Sequence, residues 1–227
     1  MSDHTVRAYD AELDFIDRKI AEMGGVAEKM LGDAMEALQR LDVELARSVV
    51  QSDPHLDALQ REIEDMAVLT IARRQPMAID LRQLVGAIHI AGDLERTGDL
   101  AKNIAKRAVK VVNDARLPRA MVGLKHMAEL AALQLKEVLD AYAQRDAERA
   151  LAVWKRDAEV DALEDSVFRD LLTFMMEDPR NISFCAHLLF CSKNLERIGD
   201  HATNIAEKIH YMKTGGALPL QRPKGGE

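Results

Sequence analysis

LERTGDLAKNIAKR at residues 94–107 and LERIGDHATNIAEK at residues 195–208 are the same sentence written twice: nine of the fourteen paired positions are identical. A residue type kept in both copies of an internal repeat serves the same job twice, so the shared Glu, Arg, Gly, Asp and Asn carry more weight than any single occurrence. The duplication reaches further. LDVELARSVVQSDPHLDALQREI at 41–63 matches RDAERALAVWKRDAEVDALEDSV at 145–167 at a shift of 104 residues, and the shift falls to 101 at Glu95 and Glu196. Three residues are thus missing from the second copy near its turn, where such changes cost least.

The 227 residues are 48% apolar and only 4% aromatic, with six prolines and abundant Ala, Leu, Glu, Arg and Met. That is the composition of an all-α protein, long enough for one extended domain or two of about 100 residues. The periodicity predicts one helix from about Val6 to Leu41 with an irregularity at Gly24 and Gly25, a second from Asp42 to Arg74 notched at Pro54, and a third from Ile79 to Val112. The second copy repeats this from Pro118 to about Tyr211. The expected architecture is two pseudo-symmetric three-helix bundles, residues 1–113 and 114–214, followed by a disordered tail at 215–227 that contains LPLQRPKGGE.

A net charge of −7 argues against a nucleic-acid platform, and Arg73, Arg74, Lys106, Arg107 and Lys110 lack interleaved aromatics, so they read as solvated helix faces. Neither a secretion signal nor an apolar run of membrane-spanning length is present, which predicts a cytoplasmic protein. Cys185 and Cys191 read as core thiols.

The hairpin turn near Pro76 sets which residues meet across the helix pair. Asp57 and Glu95 each lie 19 residues from it, and Asp53 and Asp99 each lie 23. At about 1.5 Å rise per residue, these four carboxylates stand at matched heights on adjacent antiparallel helices. In the second copy Asp161 and Glu196 lie 18 and 17 residues from Pro179, and Asp157 and Asp200 lie 22 and 21 away. Within each helix the acids are spaced i, i+4, where like charges repel. On the third helix Asp99 falls within about 40° of Leu81, Val85 and Ile88, and Glu95 within about 40° of Leu81 and Ile88, which places charge on an otherwise apolar stripe. Four gathered carboxylates need protons or a cation, and oxygen donors suit hard or borderline ions such as Mg²⁺, Ca²⁺, Mn²⁺ or iron. Asn103 and Asn204, one turn on, offer neutral oxygens.

Each member also has a plainer reading. Asp53 before Pro54 has the form of a helix N-cap, although Asp157 has no proline after it. Glu95 and Glu196 could pair with nearby cations. Gly98 and Gly199 cost helix stability in both copies, which points to the close approach of a backbone or ligand. Arg96 and Arg197 read as holding the acids in place. His201 is matched by Leu100 in the other copy, so no role shared by both sites requires it, and Glu207 and His210 form the chain's one ExxH pair where a di-iron carboxylate site needs two.

AEMGGVAEKML at 21–31, RRQPMAIDLRQLV at 73–85, LERTGDLAKNIAKRA at 94–108, MMEDPRNISF at 175–184 and NLERIGDHATNIAEKIHYMKTG at 194–215 together resemble the PhoU family of bacterial phosphate-transport accessory and regulatory proteins. The resemblance implies paired three-helix bundles, often homodimeric, with metal clusters at Asp53, Asp57, Glu95 and Asp99 and at Asp157, Asp161, Glu196 and Asp200. The ions implied are iron, zinc, manganese or magnesium. The resemblance also implies a non-enzymatic negative regulator of phosphate uptake and starvation signalling. Its partners would be the ATPase subunit of the phosphate ABC transporter and the phosphate-sensing histidine kinase, and its contact with the membrane would be peripheral. The residues leave two other readings open, a metal-dependent hydrolase that uses the carboxylate clusters and a purely structural helical scaffold. The hydrolase lacks a general base or phosphate-cradling glycine loop beside the acids.

Overall fold

A computed structural model describes residues 2–112 and 121–219, with side chains from residue 9 onward. The described residues are helical throughout their elements, with no strand among them: α1 (Ser2–Arg40), α2 (Val43–Arg74), α3 (Ile79–Val111), α4 (Met121–Gln144), α5 (Ala147–Lys155), α6 (Asp157–Glu177) and α7 (Ile182–Thr214). Pro118, the expected start of the second copy, and residues 220–227 of the expected tail lie outside the described residues; Leu218 packs against the core.

The repeat is visible in the turns. Leu41 and Arg145, paired by the shift of 104, both adopt positive φ (57° and 51°). The aspartate after each caps the next helix: Asp42 accepts from the Leu45 amide at 2.9 Å, and Asp146 accepts from the Glu148 and Arg149 amides at 3.0 Å. The caps satisfy amides that the first helical turn leaves without partners.

The middle helices differ between copies. In the first, α2 runs straight through Pro54, its N-cap is Asp42, and Asp53 sits inside the helix; neither the notch nor the cap reading of Asp53 holds. In the second, which lacks the proline, the helix breaks at Arg156 (φ −90°, ψ 3°). There the buried Gln134 of α4 donates from Nε2 to the Arg156 carbonyl at 3.3 Å, a partner outside the helix that stabilises the break. The expected irregularity at Gly24 and Gly25 is likewise absent, and α1 is continuous. Gly24 serves a different purpose: a Cβ there would stand 2.8 Å from the Leu139 methyls, so its absence lets α4 approach α1 closely.

α3 and α7 form the central seam. They run antiparallel, with Gly86 beside Met212, Asp93 beside His201 and Arg107 beside His187. α1 and α2 pack on α3, and α4, α5 and α6 pack on α7, so each copy is a bundle built on its own last helix. One continuous core runs through both copies and includes Ile20, Leu38, Leu59, Leu94, Leu135 and Leu195. Cys185 and Cys191 lie within it, and burial pushes the Cys191 thiol up to about 12, so both are packing residues.

Gly98 and Gly199 meet equivalent neighbours. A Cβ at Gly98 would overlap the Leu56 Cδ2 and lie 3.6 Å from Met30 Cε; at Gly199 it would lie 3.5 Å from Val160 Cγ2 and 3.2 Å from Gln134 Oε1. Leu56 corresponds to Val160 and Met30 to Gln134 across the duplication. The close approach is therefore by side chains of the same bundle. Leu56 is fully packed, so Gly98→Ala forces repacking at about 1–3 kcal/mol, against about 1 kcal/mol gained in helix propensity. We expect a net loss of about 1 kcal/mol for Gly98→Ala and a change within about 0.5 kcal/mol for Gly199→Ala, read by urea denaturation. Equal effects at both positions would contradict the packing.

Candidate metal centre

α2 and α3 meet in the register set by their turn at Gln75–Ala78. Lys102 of α3 places its ammonium between Asp53 Oδ2 of α2 at 2.7 Å and Asp99 Oδ1 at 2.5 Å. Arg96 reaches Glu95 Oε2 at 3.4 Å and Asp99 Oδ2 at 3.3 Å, the holding role expected of it. Asp53, Asp57 and Asp99 all raise the Glu95 pKa, after burial as the largest cause, while Arg96 lowers it. The other three acids therefore all act on Glu95. Asp99 is the counter-case: burial raises its pKa, but the hydrogen bond and charge of Lys102, with Arg96, outweigh that and hold it low.

The apolar stripe that leads to the acids is not the core face of α3. Leu81 is exposed and Val85 and Ile88 only half-buried, because the core face of α3 runs through Leu84, Ala87, Ala91, Leu94, Gly98 and Ala101. Glu95 and Asp99 flank that face, half-buried, and Glu95 lines an open polar groove with Gln60 and Glu64 of α2 and Asn204 and Lys208 of α7. The first cluster is thus reachable from solvent.

In the second copy Asp157 opens α6 and is only 5% exposed, whereas Asp161, one turn on, is exposed. Lys193 binds Glu196 Oε1 at 2.6 Å, and Glu196 and Asp200 both hold its pKa up. Glu196 Oε2 is buried with no hydrogen-bond partner. The two copies place their lysines differently: Lys102, which stands between α2 and α3, corresponds to Thr203, and Lys193 corresponds to Gly92. Among the described residues, no three Asp, Glu, His or Cys side chains converge into a ready-made ligand set as they stand. Lys102, Arg96 and Lys193 supply the counter-charge instead.

Sequence reasoning missed Lys102, although its replacement by Thr203 in an otherwise matched motif was the available signal. It also missed the seam contact in which His201 Nδ1 meets Asp93 Oδ1 at 2.9 Å and Asn204 donates to the same oxygen at 3.4 Å. Asn204 thus faces the other repeat, and exposed Asn103 has no such neighbour among the described hydrogen bonds. Glu207 of the ExxH pair accepts from the Trp154 indole at 3.0 Å.

A family model described as the PhoU domain matches residues 20–108 and again 124–209, once for each copy of the repeat. The chain belongs to the PhoU family. It is 55% identical over 222 residues to a phosphate-specific transport system accessory protein PhoU homolog of Rhizobium meliloti, covering 97% of this chain and 93% of that one. A protein of the same description from Caulobacter vibrioides is 50% identical over 224 residues, or 99% of this chain and 97% of its own. The crystal structure of PhoU from Pseudomonas aeruginosa superposes with a TM-score of 0.89 at 39% identity, covering 92% of this chain and all of that one. The phosphate transport system regulatory protein PhoU of Streptococcus pneumoniae gives 0.86 at 25% identity over 93% of this chain and all of its own. PhoU architecture, with one bundle per copy, is therefore what the duplicated sequence encodes. No described helix is long and apolar enough to cross a membrane.

Proposed function

We propose that this member of the PhoU family is a cytoplasmic, non-enzymatic negative regulator of phosphate uptake and phosphate-starvation signalling. It acts as a metal-binding adaptor, as a homodimer, between the phosphate ABC transporter and its sensor histidine kinase. The observation that carries this reading is the 55% identity, over 97% of the chain, to an accessory protein of a phosphate-specific transport system. Partners at the membrane are reached peripherally, through the transporter and kinase.

The metal part of the proposal rests on the acids themselves. The first cluster already holds a cation, the Lys102 ammonium, and the second contains the buried, unpartnered Glu196 Oε2, an oxygen that a cation would satisfy. Asp53, Asp57, Glu95 and Asp99 would hold one centre and Asp157, Asp161, Glu196 and Asp200 the other, with iron, zinc, manganese or magnesium suited to their oxygens. A bound ion would supply positive charge that ties the middle helix of each bundle to its last helix. It would take the place that the Lys102 ammonium holds at Asp53 and Asp99, with Arg96 orienting Glu95 and Asp99.

The test is an affinity pull-down from cells grown in high and low phosphate, with metal kept in the buffers and mild crosslinking applied. Recovery of the transporter ATPase subunit or the sensor kinase is expected. Recovery of neither would overturn the adaptor reading.

A further inference from the structure

Lys106, Arg107 and Lys110 form a run of cations near the end of α3 that looks, in sequence, like an ordinary solvated face without aromatics. The fold supplies the missing ring from the other repeat. α7 brings Phe190 under the Arg107 guanidinium, 4.3 Å from the ring centroid, and Arg107 donates from Nη1 to His187 Nδ1 at 3.2 Å. The imidazole is held as the acceptor, and burial, Arg107 and Lys110 keep its pKa low. Phe190 remains 54% exposed.

At several exposed positions a cation is held by an acid one turn away on the same helix, as in Lys29 with Asp33, Arg40 with Glu36 and Arg47 with Glu44. Lys106, Arg107 and Lys110 have no carboxylate partner among the described residues, and Lys106 and Lys110 are exposed. An apolar ring fixed by a stacked guanidinium, with uncompensated ammonium groups on the same stretch of α3, matches a surface that presents carboxylates around an apolar side chain.

We propose that the α3–α7 seam around Arg107 and Phe190 is the face on which this chain docks an acidic surface of a protein partner. The occupant follows from charge and size. A polyanion such as nucleic acid meets the net −7 of the whole chain, and one ring cannot stack successive bases. An anionic membrane is recruited by clusters of four or more basic side chains, at about 1 kcal/mol each, and this corner offers three among the described residues. A folded partner with a local acidic patch feels only the charges within about 8 Å at physiological salt. Resting on the adaptor reading, that partner is the transporter ATPase subunit or the sensor kinase.

The experiment measures binding of the intact transporter complex and the full-length kinase, each in detergent, to the full chain. The variants are Lys106→Glu with Lys110→Glu, Phe190→Ala, and Arg73→Glu as a charge reversal on a distant exposed position. The wild type is expected to bind one of the two. Affinity should fall on the order of tenfold in the double reversal, with a weakened salt dependence, and also in Phe190→Ala, while Arg73→Glu binds as wild type. Wild-type binding with no loss in either seam variant would overturn the docking face and leave the adaptor reading standing. Wild-type binding to neither partner would overturn both. Binding to phosphatidylserine vesicles that is lost in the same double reversal would overturn the protein partner in favour of a lipid surface.

Discussion

Adding Mn²⁺, Fe²⁺, Zn²⁺ or Mg²⁺ to metal-free protein is expected to raise its thermal midpoint by about 5–10 °C once the ion is a hundredfold above its dissociation constant. A ligand that binds only the folded state stabilises by about 2.7 kcal/mol at that ratio. For a chain of this length each kcal/mol moves the midpoint by roughly 2–4 °C. The proposed ligands lie on α2 and α3 in one bundle and on α6 and α7 in the other, so unfolding either pair would dissolve its site. Asp99→Asn combined with Asp200→Asn should abolish the shift, and scanning calorimetry with metal analysis of the dialysed protein reads both quantities.

Glu95 gives this expectation a second, opposite sign. Burial and the neighbouring Asp99, Asp57 and Asp53 raise its folded pKa above the usual carboxylate value. A group raised on folding contributes stability below its unfolded pKa and loses it as pH rises through the folded value. At neutral pH the ionised Glu95 is therefore a burden on the metal-free protein. Glu95→Gln should raise the metal-free midpoint at pH 7 and lower the midpoint reached with metal. A scaffold without metal sites would give the first change alone, and the absence of any metal-dependent shift in the wild type would favour it.

Much of this was legible in the sequence because helical geometry is regular. The spacing of Asp53, Asp57, Glu95 and Asp99 about Pro76 gave the antiparallel register, and the Lys102 contacts across α2 and α3 agree with it. The boundaries of α2 and α3 followed from Asp42, Pro76 and Val112, whose caps and turn are local chemistry. What stayed hidden depended on contacts between distant segments. Pro54 signals a notch by its missing amide, yet packing of Leu56 and Leu59 keeps α2 continuous around it. The break falls instead at Arg156, where Gln134 offers its carbonyl a partner 22 residues away in sequence. The placement of Glu95 and Asp99 on a flank depended on where α7 and α1 cover α3, which the periodicity of α3 by itself does not specify. Lys102 was readable as a departure between the two copies, but its position between two carboxylates required the fold.

The regulatory role carries the largest expected effect. If the chain restrains starvation signalling while phosphate is plentiful, losing it removes the restraint wholesale, since no residual contact with transporter or kinase remains. The same loss should be reversed by the wild-type chain supplied in trans, which separates the role from effects on neighbouring genes. The measurement is alkaline phosphatase activity in phosphate-rich medium, in cells with the gene deleted and in the same cells complemented. High activity in the deletion strain, returned to the repressed level by the wild-type chain, is expected. Repression that persists unchanged in the deletion strain would contradict the role.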